Sequence, residues 1–161
     1  MVSLNTILIN WYDKKNYSFP WRGESNPYYI WVSEIMLQQT QVNTVLPFYK
    51  SWIKQFPTLH DVANASDEEI FKFWEGLGYY KRALNLRDAC IEVINNYNSK
   101  IPTTKNELLK LKGIGDYTAS AIASIAFNYP VPAIDGNVNE ENSVKKRYHK
   151  LHESTCQKTQ K

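Results

Sequence analysis

One stretch, residues 107–138, constrains the fold of this 161-residue chain more than any other. It reads ELLKLKGIGDYTASAIASIAFNYPVPAIDGNV. Its first leucines predict a short helix that ends at the turn Gly113-Ile114-Gly115. Two glycines allow the backbone to turn tightly, and they leave the first amides of the following helix unobstructed. A turn of this kind, placed before a helix, can bind a phosphate.

The helix after this turn is predicted to begin near Asp116 and to run over 117–127, and it is rich in alanine and serine. Small side chains let neighbouring helices approach closely. Prolines at 130 and 132 prevent the helix from continuing. The chain must then turn at Asp135-Gly136-Asn137. This order of elements fixes a carboxylate just beyond the helix that starts at the glycine turn.

Elsewhere in the chain, apolar periodicity predicts further helices, and no segment predicts a strand with confidence. These helices are expected over 4–14, 27–37, 43–55, 59–63, 67–75 and 80–97. With the two helices that flank the glycine turn, the sequence predicts an all-α fold of seven or eight short helices.

The positive charge of the chain is unevenly distributed. The formal net charge is +3, from 19 basic and 16 acidic residues. Six of those basic and three of those acidic residues lie in 139–161, so 1–138 contains 13 of each and is formally neutral. Any binding of nucleic acid by 1–138 must therefore come from local contacts and not from a large overall field.

The sequence shows no membrane segment, secretion signal or disulfide framework. No run of about 18 apolar residues is present, and the apolar stretch at 2–9 is short and lacks a basic start. These features lead us to expect a soluble intracellular protein. The two cysteines, Cys90 and Cys156, cannot form a four-thiolate site, and Cys90 is expected to be a buried thiol in an apolar helix.

Glu34 is the strongest candidate for acid–base chemistry. It is the only ionisable carboxylate in the predicted helix 27–37, which is apolar nearly all round and is therefore expected to be buried. A glutamate on a helix surface is usually solvated. In a buried helix, desolvation disfavours the anion, raises the carboxyl pKa and keeps a proton available near neutral pH.

Four motifs together resemble a known family. LKGIGDYTA, followed about twenty residues later by IDGNV, resembles the helix-hairpin-helix and Gly/Pro-Asp motif of a DNA glycosylase superfamily. With SEIMLQQTQV at 33–42 and WEGLGYYKRALNL at 74–86, the chain is similar to the adenine DNA glycosylases, which act on A/G mismatches. The resemblance covers about Ile9 to Val138 and implies the helical barrel of helix-hairpin-helix (HhH-GPD) glycosylases.

The resemblance implies removal of adenine mispaired with 8-oxoguanine or guanine during base excision repair. Glu34 would protonate the leaving base, and Asp135 would stabilise the oxocarbenium-like sugar, in the two-carboxylate logic of glycoside hydrolysis. From the residues alone, Asp135 would be interpreted as an ordinary turn or N-cap residue, and the resemblance reverses that interpretation. Endonuclease III-like relatives have a Schiff-base lysine at the position of Tyr117, so the resemblance implies base removal without an efficient lyase step. The resemblance also implies a catalytic role for Tyr117, at a position where family members have a Tyr or Ser that assists near the sugar; from the residues alone, Tyr117 could instead pack in the core.

The resemblance also implies residues that contact DNA and the flipped base. Gln39 and Tyr79 match residues that wedge into the duplex, and the Gly113, Ile114 and Gly115 amides would bind phosphate, with a possible monovalent cation. The other matched positions, which line the base pocket or lie near the DNA, are Trp21, Arg22, Trp31, Leu37 and Asn137. Without the family, Tyr79 would be only a loop aromatic.

The resemblance gives three segments: an N-terminal helix and link (1–26), the HhH-GPD glycosylase domain (27–138), and a basic, disordered tail unlike the family (139–161). Intact family members continue into helices that carry a [4Fe–4S] cluster, whose cysteine ligands are absent here. We therefore expect a chain truncated or frameshifted after Val138, with an incomplete iron–sulfur domain, no cofactor of its own, exposed apolar surface around Trp11 and impaired turnover.

The implied partner is double-stranded DNA containing an adenine mismatch, bound by a cytoplasmic, nucleoid-associated monomer without membrane contact. Two alternatives remain open. The chain could be a DNA-binding remnant without catalysis, or it could be an endonuclease III-like pyrimidine glycosylase and lyase, which Tyr117 disfavours.

Overall fold

The computed structural model describes residues 3–15 and 19–134, and within these ranges it contains eight helices and no β-strand. The helices are α1 (Leu4–Lys15), α2 (Pro27–Leu37), α3 (Val42–Gln55), α4 (Leu59–Asn64), α5 (Asp67–Trp74), α6 (Lys81–Asn96), α7 (Lys105–Leu108) and α8 (Asp116–Phe127). The predicted all-α fold is confirmed. None of the described helices is both long and apolar enough to span a bilayer.

Helix α7 is shorter than the sequence indicates, because the chain tightens after Leu108. The amides of Lys110 and Leu111 donate to carbonyls three residues earlier, at 3.1 Å each, and the Ile114 amide donates to the Leu111 carbonyl at 3.2 Å. These are bonds of tight turns and not of an α-helix. They bring the chain directly into the glycine turn before α8.

Helix α2 is the centre of the fold. Asn26 caps it by accepting a hydrogen bond from the Tyr28 amide, and Pro27 occupies its first turn, where a missing amide costs nothing. Eight of its residues are buried, and it packs against α3, α6 and α8. The nearly all-round apolar pattern of 27–37 predicted this buried position.

An aromatic cluster joins α2 to α3 and α5. The Tyr28 hydroxyl donates to the Phe56 carbonyl at 2.7 Å and accepts a hydrogen bond from the Trp52 indole at 3.2 Å. The Trp52 ring meets Trp74 edge to face at 5.4 Å. The polar ends of these large buried rings thus have partners, which lets them pack inside the core.

Helix α6 packs against α4 and α5 on one side and meets the glycine turn on another. Gly113 has φ +79°, and a Cβ built there would lie 2.7 Å from the Asn85 Cβ. A glycine is therefore required at this turn by both the backbone conformation and the close approach of α6. The Lys112 ammonium reinforces the contact by bonding the Asp88 carboxylate at 2.5 Å.

Helix α1 differs from the rest because its apolar side chains face solvent. The side chains of Leu4, Ile7, Leu8, Ile9 and Trp11 are all about half exposed or more. The exposed apolar surface expected around Trp11 is confirmed. The core instead lies among α2 to α8.

Candidate functional site

Glu34 lies on the buried surface of α2 with only 8% of its surface exposed. Burial raises the pKa of its carboxyl from 4.5 to about 7, and the charge of Arg22 partly opposes this rise. The group is therefore divided between its acid and its anion near neutral pH. An acid of this kind can give a proton to a leaving group that a solvated glutamate, ionised above pH 5, could not serve.

One hydrogen bond aligns the Glu34 face of α2 with the start of α8. Gln38 is the C-cap residue of α2, four positions after Glu34. Its side-chain amide donates to the Thr118 hydroxyl at 3.1 Å. The neighbouring Tyr117 is partly exposed, at 38%, in the first turn of α8. The structure thus brings the segments of Glu34 and Tyr117 together.

Gln39 and Tyr79, the two predicted wedge residues, share an unusual backbone conformation. Both have positive φ angles, +56° and +49°, which side chains other than glycine rarely adopt. Gln39 is exposed, and Tyr79 is 66% exposed. Gln39 follows α2 and Tyr79 precedes α6, so each lies in a short loop that projects its side chain into solvent.

A single guanidinium, that of Arg82 in α6, joins these two loops. Its Nη1 donates to the carbonyl oxygens of Ile35, Met36 and Gln38 at 3.0, 3.1 and 2.5 Å. Its Nη2 donates to the Thr40 hydroxyl at 3.3 Å and to the carbonyls of Leu77 and Gly78 at 3.2 Å each. The Arg82 guanidinium therefore donates hydrogen bonds both to the loop after α2 and to the glycine loop before α6.

The predicted phosphate-binding turn has its expected form, with one amide already engaged. Ile114 is buried, and its amide donates to the Leu111 carbonyl. Gly113 and Gly115 on either side are exposed, and Gly115 is the N-cap residue of α8. The turn presents its two glycines and the first turn of a 12-residue helix to solvent, which is an arrangement that favours an anion.

The residues expected around the base differ in what they can touch. Trp21 is mostly buried and packs between Phe19, stacked at 5.5 Å, and Tyr49, edge-on at 5.1 Å. Arg22 is exposed, and Leu37 is half-buried at the end of α2. Trp31 has no exposed surface, so here it supports the core and offers no face to a base.

Two predicted site residues, Asp135 and Asn137, lie outside the described residues, which end at Ile134 on this side. The same holds for the predicted tail at 139–161. Within the described ranges, no three His, Cys, Asp or Glu side chains form a group that could bind a metal. The chain has two cysteines, and Cys90 is buried in α6, so its residues do not fit the four-cysteine ligation of a [4Fe–4S] cluster.

Two residues of this site, Arg82 and Thr118, were not expected from the sequence. Arg82 stands in a charged helical segment, where arginine usually points into solvent, and its acceptors are mostly backbone carbonyls. Thr118 bonds Gln38 across 80 residues of sequence. The only sequence signal for Arg82 is its position just after a glycine loop.

Comparison with known proteins places these features in a family. Residues 32–161 match the model of the HhH-GPD superfamily base excision DNA repair proteins. The chain is 45% identical over 140 residues to the adenine DNA glycosylase of Rattus norvegicus, covering 81% of this chain and 27% of that protein. It is 40% identical over 135 residues to the adenine DNA glycosylase of Buchnera aphidicola subsp. Schizaphis graminum, covering 82% and 38%. The chain thus spans between about a quarter and two fifths of these relatives.

Solved structures share the same architecture. A thermostable thymine-DNA glycosylase superposes with a TM-score of 0.81 at 26% identity, covering 91% of this chain and 74% of that one. Endonuclease III in a non-covalent complex with DNA superposes with a TM-score of 0.71 at 25% identity, covering 84% and 65%.

Proposed function

Because the chain belongs to the HhH-GPD superfamily of base excision DNA repair proteins, we propose that it is a monofunctional DNA glycosylase that removes adenine mispaired with 8-oxoguanine or guanine. The proposal draws its substrate from the relatives that match most of this chain, which are adenine DNA glycosylases. The remaining support comes from the chemistry of the site.

The single observation that carries the proposal is the state of Glu34. Hydrolysis of the bond between adenine and deoxyribose requires a proton on the departing base, since the free anion is a poor leaving group. Glu34 is buried in an apolar helix and has a pKa of about 7, so it can supply that proton at neutral pH. We propose that Glu34 is the general acid.

Departure of the base leaves positive charge on the sugar, which needs a carboxylate close by. We propose Asp135 for this role, with Asn137 beside it, on the motif IDGNV, which lies within the matched residues 32–161. Tyr117 is a phenol and has no amine to form a Schiff base with the sugar. The proposed reaction therefore ends with hydrolysis, and strand cleavage is left to another enzyme.

A base inside a duplex is out of reach of Glu34, so the target nucleotide must leave the stack. We propose that Gln39 and Tyr79 fill the gap, because both are exposed on neighbouring loops. The Gly113–Gly115 turn would bind a backbone phosphate of the same DNA, and a monovalent cation there stays a prediction. Double-stranded DNA with an adenine mismatch is thus the proposed partner.

The test is single-turnover release of adenine from a duplex that contains adenine opposite 8-oxoguanine, with the chain in excess. The unmodified chain should release adenine, and Glu34→Gln should reduce the rate by about 100-fold or more. Glu107→Gln is a matched control, because Glu107 is also a partly buried glutamate. It lies in α7, where its backbone amide donates to the Thr104 hydroxyl. This variant should leave the rate nearly unchanged.

Two outcomes would replace the proposal. Binding of the duplex without release of adenine would favour a DNA-binding role without catalysis. Trapping of a covalent protein–DNA adduct by borohydride would indicate a lyase and would contradict the assignment based on Tyr117.

A further inference from the structure

We propose that Arg82 is a positioning residue that holds the Gln39 and Tyr79 side chains as one rigid wedge in the DNA-free protein. The inference rests on the proposed function, because a wedge matters only if a base leaves the duplex. Arg82 itself would contact neither base nor sugar. It would set the geometry of Gln39 and Tyr79, which the proposed function places against the DNA.

The first argument is the backbone of the two loops. Gln39 directly follows the Gln38 carbonyl, and Tyr79 directly follows the Gly78 carbonyl; Arg82 donates to both carbonyls. Each of the two exposed residues has positive φ. Such a conformation persists only where the surrounding contacts impose it. The Arg82 guanidinium imposes it on both loops at once.

The second argument is the side chain of Tyr79. The Arg82 guanidinium lies 5.6 Å from the Tyr79 ring centre and 5.5 Å from that of Trp74, distances at which a cation and a ring attract each other. The Trp74 indole also donates to the Gly78 carbonyl at 3.0 Å. Arg82 therefore restrains the ring of Tyr79 as well as its backbone, although that ring is largely in solvent.

The third argument is the shape of arginine. The carbonyls of Ile35 and Met36 belong to the last turn of α2, where the regular amide donors of the helix run out, and the Ile35 carbonyl accepts only a long bond of 3.4 Å from the Gln38 amide. A planar guanidinium reaches these acceptors through one nitrogen and the glycine loop through the other. The ammonium of lysine has the charge but lacks two separate nitrogens in a fixed plane. Arg82→Lys therefore removes the bridge and preserves the charge.

Hydrogen exchange of the full chain without DNA tests the structural half of the proposal. Arg82→Lys should accelerate exchange of the amides in 37–40 and in 77–80 together. Arg87→Lys is the matched control, because Arg87 lies five residues later in α6 and bonds Asp67 and the Ala65 carbonyl instead. It should leave both loops unchanged. Unaltered exchange in Arg82→Lys, or acceleration in one loop only, would overturn the proposal.

Base flipping tests the functional half independently of chemistry. The probe is a duplex with 2-aminopurine in place of the adenine opposite 8-oxoguanine, whose fluorescence rises when it leaves the stack. With saturating protein, Arg82→Lys should slow this rise by about 100-fold, because small displacements of positioned groups are costly. Duplex affinity should change by less than about threefold, since the glycine turn is untouched. Arg87→Lys should behave as the unmodified chain.

The readouts separate this proposal from the proposed function. If the unmodified chain flips 2-aminopurine but releases no adenine, the glycosylase assignment fails, and a loss of flipping in Arg82→Lys still supports the positioning role. If Arg82→Lys flips as fast as Arg87→Lys, or the unmodified chain does not flip the base, the positioning role is overturned.

Discussion

Two parts of helix α2, one turn apart, acquire their properties in opposite ways. Around Glu34, apolar packing removes water, and the absence of solvent raises the carboxyl pKa to about 7. Around Gln38, the helix ends in a dense set of hydrogen bonds from Arg82 and to Thr118. The first part obtains a reactive group because burial removes a carboxyl from water, and the second obtains a fixed shape through its hydrogen bonds.

Under the proposed function, this difference would let one small helical domain combine an acid for catalysis with a rigid surface for distorting DNA. A general acid needs an unfavourable environment for its charge, and this environment costs stability. A rigid surface loop needs many bonds, which restore stability. The two requirements meet in one helix without conflict, because Glu34 faces the interior and the Gln38 end meets the loops. Variants that affect one part should therefore spare the other.

The largest effect should come from removing the buried charge. The folded pKa of Glu34 lies above its ordinary value of 4.5, so the folded chain binds more protons than the unfolded one between pH 4.5 and 7. The free energy of unfolding should fall by roughly 3 kcal/mol between pH 4 and pH 8.5 from this group alone. Glu34→Gln should lack this part of the pH dependence, as measured by urea unfolding across that range. Equal slopes in both proteins would show that Glu34 is solvated.

A smaller effect should follow from crowding the glycine turn. Gly113→Ala places a Cβ 2.7 Å from the Asn85 Cβ at φ +79°, and it should destabilise the chain by about 2 kcal/mol. Duplex affinity should fall in parallel. Gly23→Ala is the control for backbone strain alone, because Gly23 has φ +75° and no heavy atom within 4 Å of the added Cβ. If both variants lose the same stability, contact with α6 contributes nothing.

Removing one hydrogen bond at the end of α2 should have a milder consequence. Thr118→Val deletes the acceptor of the Gln38 amide and should reduce the free energy of unfolding by about 1 kcal/mol. The pH dependence of stability should stay as in the unmodified chain, because Glu34 remains buried. A changed pH dependence would mean that the two parts of α2 are coupled, contrary to the comparison above.

The smallest effect concerns the charge nearest Glu34. If Glu34 must be protonated, the rate of adenine release should be constant below pH 7 and should fall above it. The Arg22 charge lowers the pKa of Glu34, so Arg22→Gln should move the midpoint of this fall upward by a fraction of a pH unit. Rates measured from pH 5.5 to 9 would reveal it. A downward shift would contradict the assigned interaction.

The sequence predicts those features of the molecule that depend on local pattern. The helices follow from apolar spacing and from capping residues such as Ser66, whose box with Glu69 is complete. Glu34 could be identified because a lone carboxylate in an all-round apolar helix has one plausible environment. The glycine turn could be identified because Gly113 and Gly115 stand between two helical patterns.

Other features depend on contacts that leave no local pattern. Arg82 bonds mainly carbonyl oxygens, which every residue possesses, and those on α2 lie 44 to 47 residues away. Thr118 reads as an ordinary residue of the first turn of a helix until Gln38 is placed beside it. The apolar pattern of α2 predicts that Trp31 is buried, but only the structure shows that its ring has no exposed surface to offer a base.

Helix α6 fixes the spacing between the two exposed loops and the glycine turn. Three residues of this helix, spaced three positions apart, make these contacts. Arg82 bonds the loops of Gln39 and Tyr79, Asn85 lies against Gly113, and Asp88 bonds Lys112. At a helical rise of about 1.5 Å per residue, these three positions span roughly 9 Å along the helix axis. Because a rigid helix sets this interval, the proposed function implies a fixed distance between the phosphate bound at the glycine turn and the base displaced at the Gln39 and Tyr79 loops, whatever the DNA sequence.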